Sequence, residues 1–178
     1  ELCRDIAQRF NSDFNAIDFL KTPEPLIQKN FSRIMSLKDA TKKMSKSDPS
    51  DLSRINLSDD SELMISKIKK AKTDSKPMPD IDENLEKRPE AENLLGIYSS
   101  LSNQSLEKSK KEFSGKNFSE FKENLSSLLI HKISPISKEI KKLLNDDKHL
   151  DNILLEGSKK ANEIASKKIK EMKKLIGF

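Results

Sequence analysis

Residues 42–49 read KKMSKSDP. Three lysines and two serines surround Met44, Asp48-Pro49 closes the run, and no glycine occurs in it. A phosphate site needs positive charge and hydrogen-bond donors close to the anion, with water partly excluded. Lys43 and Lys46 stand three positions apart, so a turn can bring both ammonium groups to one polyphosphate. Ser45 and Ser47 add hydroxyl and backbone donors. Without glycine the segment is no tight backbone cradle and has to act through side chains on a moving segment. On composition alone, a solvated lysine-serine loop accounts for the same residues more simply. The surrounding sequence has to decide.

Upstream, Leu2, Ile6 and Phe10 recur at helical spacing, and that stripe ends near Asn11-Ser12. Residues 12–32 read as irregular, with Pro23 and Pro25 excluding a helix interior. Ile34, Met35 and Leu37 make a short apolar run that we read as a buried strand leading into the lysine segment. Downstream, Ser58 followed by Asp59, Asp60 and Glu62 reads as a helix start, with carboxylates in the positive first turn. Leu57, Met64, Ile65 and Ile68 mark its inner face, while Lys67, Lys69, Lys70 and Lys72 fall on the other side or in the last turn.

Pro77 and Pro79 make 73–88 a connecting loop, and Pro89 suits the first position of the next helix, lined by Leu94, Leu95, Ile97, Tyr98 and Leu101. A shorter helix is expected over 105–113, ending before Gly115. From Phe118 a long stripe runs through Phe121, Leu125, Leu129, Ile133, Ile136, Ile140 and Leu144, with Pro135 predicting a kink. After Asn145-Asp146-Asp147 a last helix carries Ile153, Ile164, Ile169 and Ile176. Its small residues Gly157, Ala161 and Ala165 would admit a close neighbour, so the two long helices are expected to form an antiparallel hairpin within a bundle.

Composition agrees with a mainly α fold: glycine is scarce at four residues, and aromatic residues make up 5%. The net charge of +5 permits a polyanionic partner without demanding one. Cys3 is the single cysteine, so no intrachain disulfide forms and a reducing compartment is the default. No apolar run approaches the length of a membrane span, so a membrane is not among the expected partners. The chain opens with ELCRDIAQRF, without Met and inside an amphipathic helix, and reads as the later part of a longer protein.

Several chemistries find no support. His131 and His149 are isolated and Cys3 has no companion at ligand spacing, so no metal ligand is expected. No GxSxG, GxGxxG or Walker pattern occurs. Asp59-Asp60 and Asp146-Asp147 sit at helix starts or turns, where capping explains them.

What remains is the order of residues. Lys43-Met44-Ser45-Lys46-Ser47 is an unbroken KMSKS, which resembles the signature loop of class I aminoacyl-tRNA synthetases. RIMSL at 33–37, KKMSKSDPSD at 42–51, RINLSDD at 54–60, KIKKAKTD at 67–74 and RPEAENLLGIYSSLS at 88–102 follow in order. NFSEFKENL at 117–125, LLEGSKKANEIA at 154–165 and the terminal IGF continue the likeness. Together they resemble the bacterial tryptophanyl branch of that family over nearly the whole chain. The family's amino-terminal half, with its HIGH-like motif and most of its amino-acid pocket, has no counterpart here, and 14–30 resembles it less.

The resemblance implies that 1–50 is the tail of a Rossmann-like nucleotide-binding catalytic domain, with one short strand at most. It implies that 51–178 is a helical domain docking the anticodon arm of tRNA. It implies ATP-dependent ligation of L-tryptophan to tRNA(Trp), with magnesium accompanying ATP, in a cytoplasmic homodimer. Lys43 and Lys46 would be catalytic, Ser45 and Ser47 would assist, and Met44 would pack near the adenine. Ile34 matches a position whose backbone meets the adenine in relatives. Thr41 and Asp48-Pro49 would bracket the moving part of the loop. Lys159, Lys160, Lys167, Lys168 and Lys170 make the last helix basic, as phosphate contacts require, although a solvated face explains them equally. The 178 residues alone are expected to be inactive. Two alternatives stay open: a tyrosyl-type synthetase, and a basic helical module that binds RNA without catalysis.

Overall fold

The computed structural model describes residues 1–27 and 32–178 and is mainly helical. Residues 28–31, part of the expected irregular stretch, lie outside the described residues. Six α-helices are described: α1 (Leu2–Asp13), α2 (Ser61–Lys70), α3 (Pro89–Ser102), α4 (Leu106–Phe113), α5 (Phe118–Leu144) and α6 (Asp147–Leu175). The chain divides into two compact units, one of Glu1–Ile27 with Asp146–Phe178 and the other of Gln28–Asn145.

The unit spanning Gln28–Asn145 holds the main core. Helix α3 starts at Pro89, whose missing N–H costs nothing at a first position, and ends at Asn103 in the left-handed conformation that asparagine tolerates. Its Leu94 and Leu95 are buried with Ile68 of α2 and Phe121, Leu125 and Leu129 of α5. Phe113, at the end of α4, meets Tyr98 and Phe121 edge to face, each at 4.8 Å between ring centres. Such pairs add about 1 kcal/mol beyond burial of area.

Capping follows the sequence at most starts. Ser105, Asn117 and Asp146 accept hydrogen bonds from the backbone N–H groups of Lys108, Glu120 and His149. The start of α2 differs from the expected one. Asp60, not Ser58, is the cap and accepts from Leu63, which is worth about 1 kcal/mol. Leu57 is exposed rather than part of the inner face. Helix α5 runs through Pro135 without a break.

The expected strand over 34–37 is reduced to one antiparallel bridge between Met35 and Lys43. Two backbone bonds frame it: Ser36 N–H donates to the Lys42 carbonyl at 2.8 Å, and Met44 N–H to that of Ile34 at 3.0 Å. On the other side a side chain replaces a neighbouring strand. The Asn93 carboxamide of α3 accepts from Met35 N–H and donates to its carbonyl, both at 2.9 Å. An amide side chain offers the same donor and acceptor as a peptide, so the segment is paired without a sheet.

In the other unit, the Phe10 ring of α1 meets those of Phe14 and Phe19 at tilted angles, and the Asn11 side chain brackets the backbone of Leu20. The Lys168 ammonium of α6 lies 3.7 Å from the centre of the Phe19 ring, a cation–π contact. No side chain of α6 is buried, and a β-carbon at Gly157 would meet nothing within 4 Å. The two long helices belong to different compact units. No helix of the described residues is long and apolar enough to cross a membrane.

Candidate functional site

The Met35–Lys43 bridge turns the lysine segment back over a cleft of about 590 Å³. Ile34, Lys43, Met44, Ser45 and Lys46 all line it. Ser47, the remaining predicted site residue, does not; its N–H donates to Ser45 Oγ at 3.2 Å and holds the turn. Met44 also packs against the hydrophobic core, anchoring the segment from beneath.

The three lysines of KKMSKSDP separate by environment. Lys42 is committed, with its ammonium 3.2 Å from Asp39. The Asp39 carboxyl is held down at about 2, first by the hydrogen bond from the Thr41 side chain and then by Lys42. The Asp39 carboxylate therefore stays charged at neutral pH and holds the Lys42 ammonium. Lys43 and Lys46 are exposed, line the cleft, and form no ion pair among the described residues. Arg33 also lines the cleft without an ion pair among the described residues, and these cations over an apolar wall that includes Ile34, Ile55, Leu57 and Ile140 suit a ligand with an anionic end and an apolar body. The cleft lining contains no carboxylate. Among the described residues no group of three or more His, Cys, Asp and Glu stands where it could hold a metal ion.

Sequence reasoning passed over the residues that fix this segment in place. Arg54 lines the cleft, yet its Nη1 donates to the Asp48 carbonyl at 2.9 Å, its Nε to Asn56 at 3.2 Å, and its Nη2 pairs with Asp51 at 3.1 Å. It ties down the loop's end rather than facing a ligand. Lys67, assigned to the exposed side of α2, is fully buried between Asp51 and Asp59. Asp59, read as a cap, is a buried partner of that lysine. Asp59 and Lys67 are eight positions apart, so no helical spacing signals the pair.

Asn93 carries a testable consequence. Asn93→Ala leaves the Met35 N–H and carbonyl without their partners, and an unmade buried bond costs about 1–3 kcal/mol. Urea unfolding should show the loss, and limited proteolysis should cut more readily within 33–44. Unchanged stability would mean that water replaces the amide at no cost.

A family model described as tRNA synthetases class I (W and Y) matches residues 1–133. The chain belongs to this family. Similar class I synthetases include the tryptophan–tRNA ligase of Caulobacter vibrioides, 47% identical over 178 residues that cover 100% of this chain and 52% of that protein. The tryptophan–tRNA ligase of Rickettsia conorii is 48% identical, covering 100% of this chain and 53% of that one. The crystal structure of tryptophanyl-tRNA synthetase from Mycoplasma pneumoniae matches with a TM-score of 0.80 at 27% identity, covering 98% of this chain and 53% of that chain. This member of the class I synthetases therefore spans about half the length of the relatives it matches.

Proposed function

We propose that this chain is the C-terminal part of a tryptophan–tRNA ligase, contributing the KMSKS loop and the helical domain. The observation that carries the reading is the pair Lys43 and Lys46, without an ion pair among the described residues, over an apolar-walled cleft in a chain of the class I family. The identity to tryptophan–tRNA ligases across the whole chain supports tryptophan over tyrosine. Residues 1–50 would be the tail of the nucleotide-binding domain and 51–178 the domain that docks the anticodon arm of tRNA(Trp), in a cytoplasmic homodimer.

In the full-length ligase a carboxylate oxygen of tryptophan attacks the α-phosphorus of ATP. The bond from that phosphorus to the bridging oxygen breaks, and pyrophosphate leaves. The aminoacyl group then passes from the adenylate to a ribose hydroxyl at the end of the tRNA, releasing AMP. Charge grows on the pyrophosphate as the first step proceeds. Lys43 and Lys46, whose exposed side chains reach over the cleft, would meet that charge most closely in the transition state, so they would raise the rate rather than merely tighten binding. Ser45 and Ser47 shape the turn that carries them, and Ile34 and Met44 face the adenine. Magnesium would arrive on the phosphates of ATP, where it neutralises charge.

The test is ATP–pyrophosphate exchange by the full-length protein. Exchange that needs tryptophan and ignores tyrosine is expected, with none from the 178 residues alone. Exchange driven by tyrosine would move the protein to the tyrosyl branch. Tight RNA binding by a full-length protein without any exchange would leave the non-catalytic reading.

A further inference from the structure

The Lys67 side chain has no exposed surface, and its ammonium lies 2.6 Å from Asp59 Oδ2 and 2.7 Å from Asp51 Oδ2. Asp59 is buried as well, and it also accepts from the Asn56 N–H at 2.9 Å and from the Asn56 amide at 3.1 Å. The other oxygen of Asp51 receives Arg54 Nη2 at 3.1 Å and the Asn56 amide at 3.0 Å. Arg54 Nη1 in turn donates to the carbonyls of Asp48 at 2.9 Å and Ser50 at 3.4 Å. A continuous run of charge-assisted hydrogen bonds thus leads from the buried face of α2 to Asp48, just after KMSKS.

The two cations and two carboxylates balance, so the cluster presents no net charge to a ligand. Burying an ammonium between carboxylates contributes little net stability, because desolvation offsets the attraction. What it supplies is direction. Asp51 is held on one side by a lysine that cannot move, and this points its second oxygen at Arg54.

We propose that Lys67 is a positioning residue for the phosphate-facing loop, acting through Asp51 and Arg54 to fix the end from which Lys43 and Lys46 reach. The inference rests on the ligase reading of that loop. A loose far end would let both ammonium groups drift. Misplacement by about 1 Å can cost up to roughly a hundredfold in rate.

Asp51→Asn is the primary test, because Asp51 is half exposed and the change keeps its volume. The asparagine amide would turn an N–H toward either Lys67 or Arg54, which are both donors, and so would cut the relay while leaving the Lys67–Asp59 pair. In exchange assays of the full-length protein, kcat is expected to fall roughly ten- to a hundredfold with KM for tryptophan unchanged. Combined with Lys46→Ala, the change should cost less than about twofold more, since both act on one event. Lys67→Met should behave like Asp51→Asn, and Lys67→Arg should recover part of the rate. If Lys67→Met does not fold, the Asp51→Asn cycle decides.

Unimpaired kcat in Asp51→Asn, or an effect that multiplies fully with that of Lys46→Ala, overturns the positioning role. Absence of exchange in the unmodified full-length protein removes the ligase reading and this inference with it. Exchange in the unmodified protein beside an unimpaired Asp51→Asn variant overturns the inference alone.

Discussion

Lys46→Ala in the full-length protein is expected, on the proposed ligase function, to lower kcat for tryptophan-dependent exchange by about 10²–10³-fold, the usual cost of removing one donor aimed at developing charge. The expectation follows from what Lys46 does not touch. It makes no ion pair among the described residues, lines the cleft beside Lys43, and sits on a segment held at its start by backbone bonds to Ile34 and Ser36 and at its end by Arg54. Such a cation adds nothing to the resting fold, so its removal should leave the melting temperature within about 1 °C, as for other surface changes. KM for ATP should move much less than kcat, because a group that meets the phosphates most closely in the transition state is not a ground-state binding group. Lys42→Ala is the matched control: it removes an adjacent positive charge that is already spent on Asp39. Near-normal exchange in Lys46→Ala would take that residue out of the mechanism. Equal losses in the two variants would show that bulk charge, not placement, is what matters.

The second large effect is on stability. Phe121 is completely buried and stands against Phe113 at 4.8 Å and Tyr98 at 6.0 Å, where α3, α4 and α5 meet. Truncating a buried phenylalanine to alanine costs about 3–5 kcal/mol, the sum of lost transfer energy and the cavity left behind. Domains are stable by only about 5–15 kcal/mol, so Phe121→Ala should remove a large share of the total. Thermal unfolding followed by circular dichroism should show a fall of roughly 10 °C or more. Ile164→Ala on α6, a side chain 76% exposed, should stay within about 0.5 kcal/mol of the parent. A Phe121→Ala variant as stable as the parent would contradict the placement of the core between these helices.

Much of this was legible from residue order. The helical stripes of α2 through α5, Pro89 as a first helical residue and the turn at Asn145-Asp146 all declare themselves through local periodicity and capping. The KMSKS run and its flanking segments placed the chain in its family, because motif identity is a property of order and needs no coordinates. Local rules failed where a residue's partner was distant in sequence. Ile34, Met35 and Leu37 looked like a strand because their apolar character is real, but beyond the single bridge to Lys43 it is the side chain of Asn93, 58 positions away, that pairs with Met35. Lys67 looked exposed because lysine on a basic helix is normally solvated, and nothing in the spacing announces two carboxylates converging on it.

The sequence by itself thus determined the helices, the family and which lysines to suspect, since each depends on neighbours within a few positions. Tertiary structure alone decided which cations were already spent. Lys42 on Asp39, Arg54 on Asp51, and Lys67 between Asp51 and Asp59 are neutralised by carboxylates that folding brings close, leaving Lys43 and Lys46, with Arg33, to line the cleft without an ion pair among the described residues. A charge acts on a ligand only if no nearer opposite charge has claimed it, and nearness in space is what the linear chain does not display.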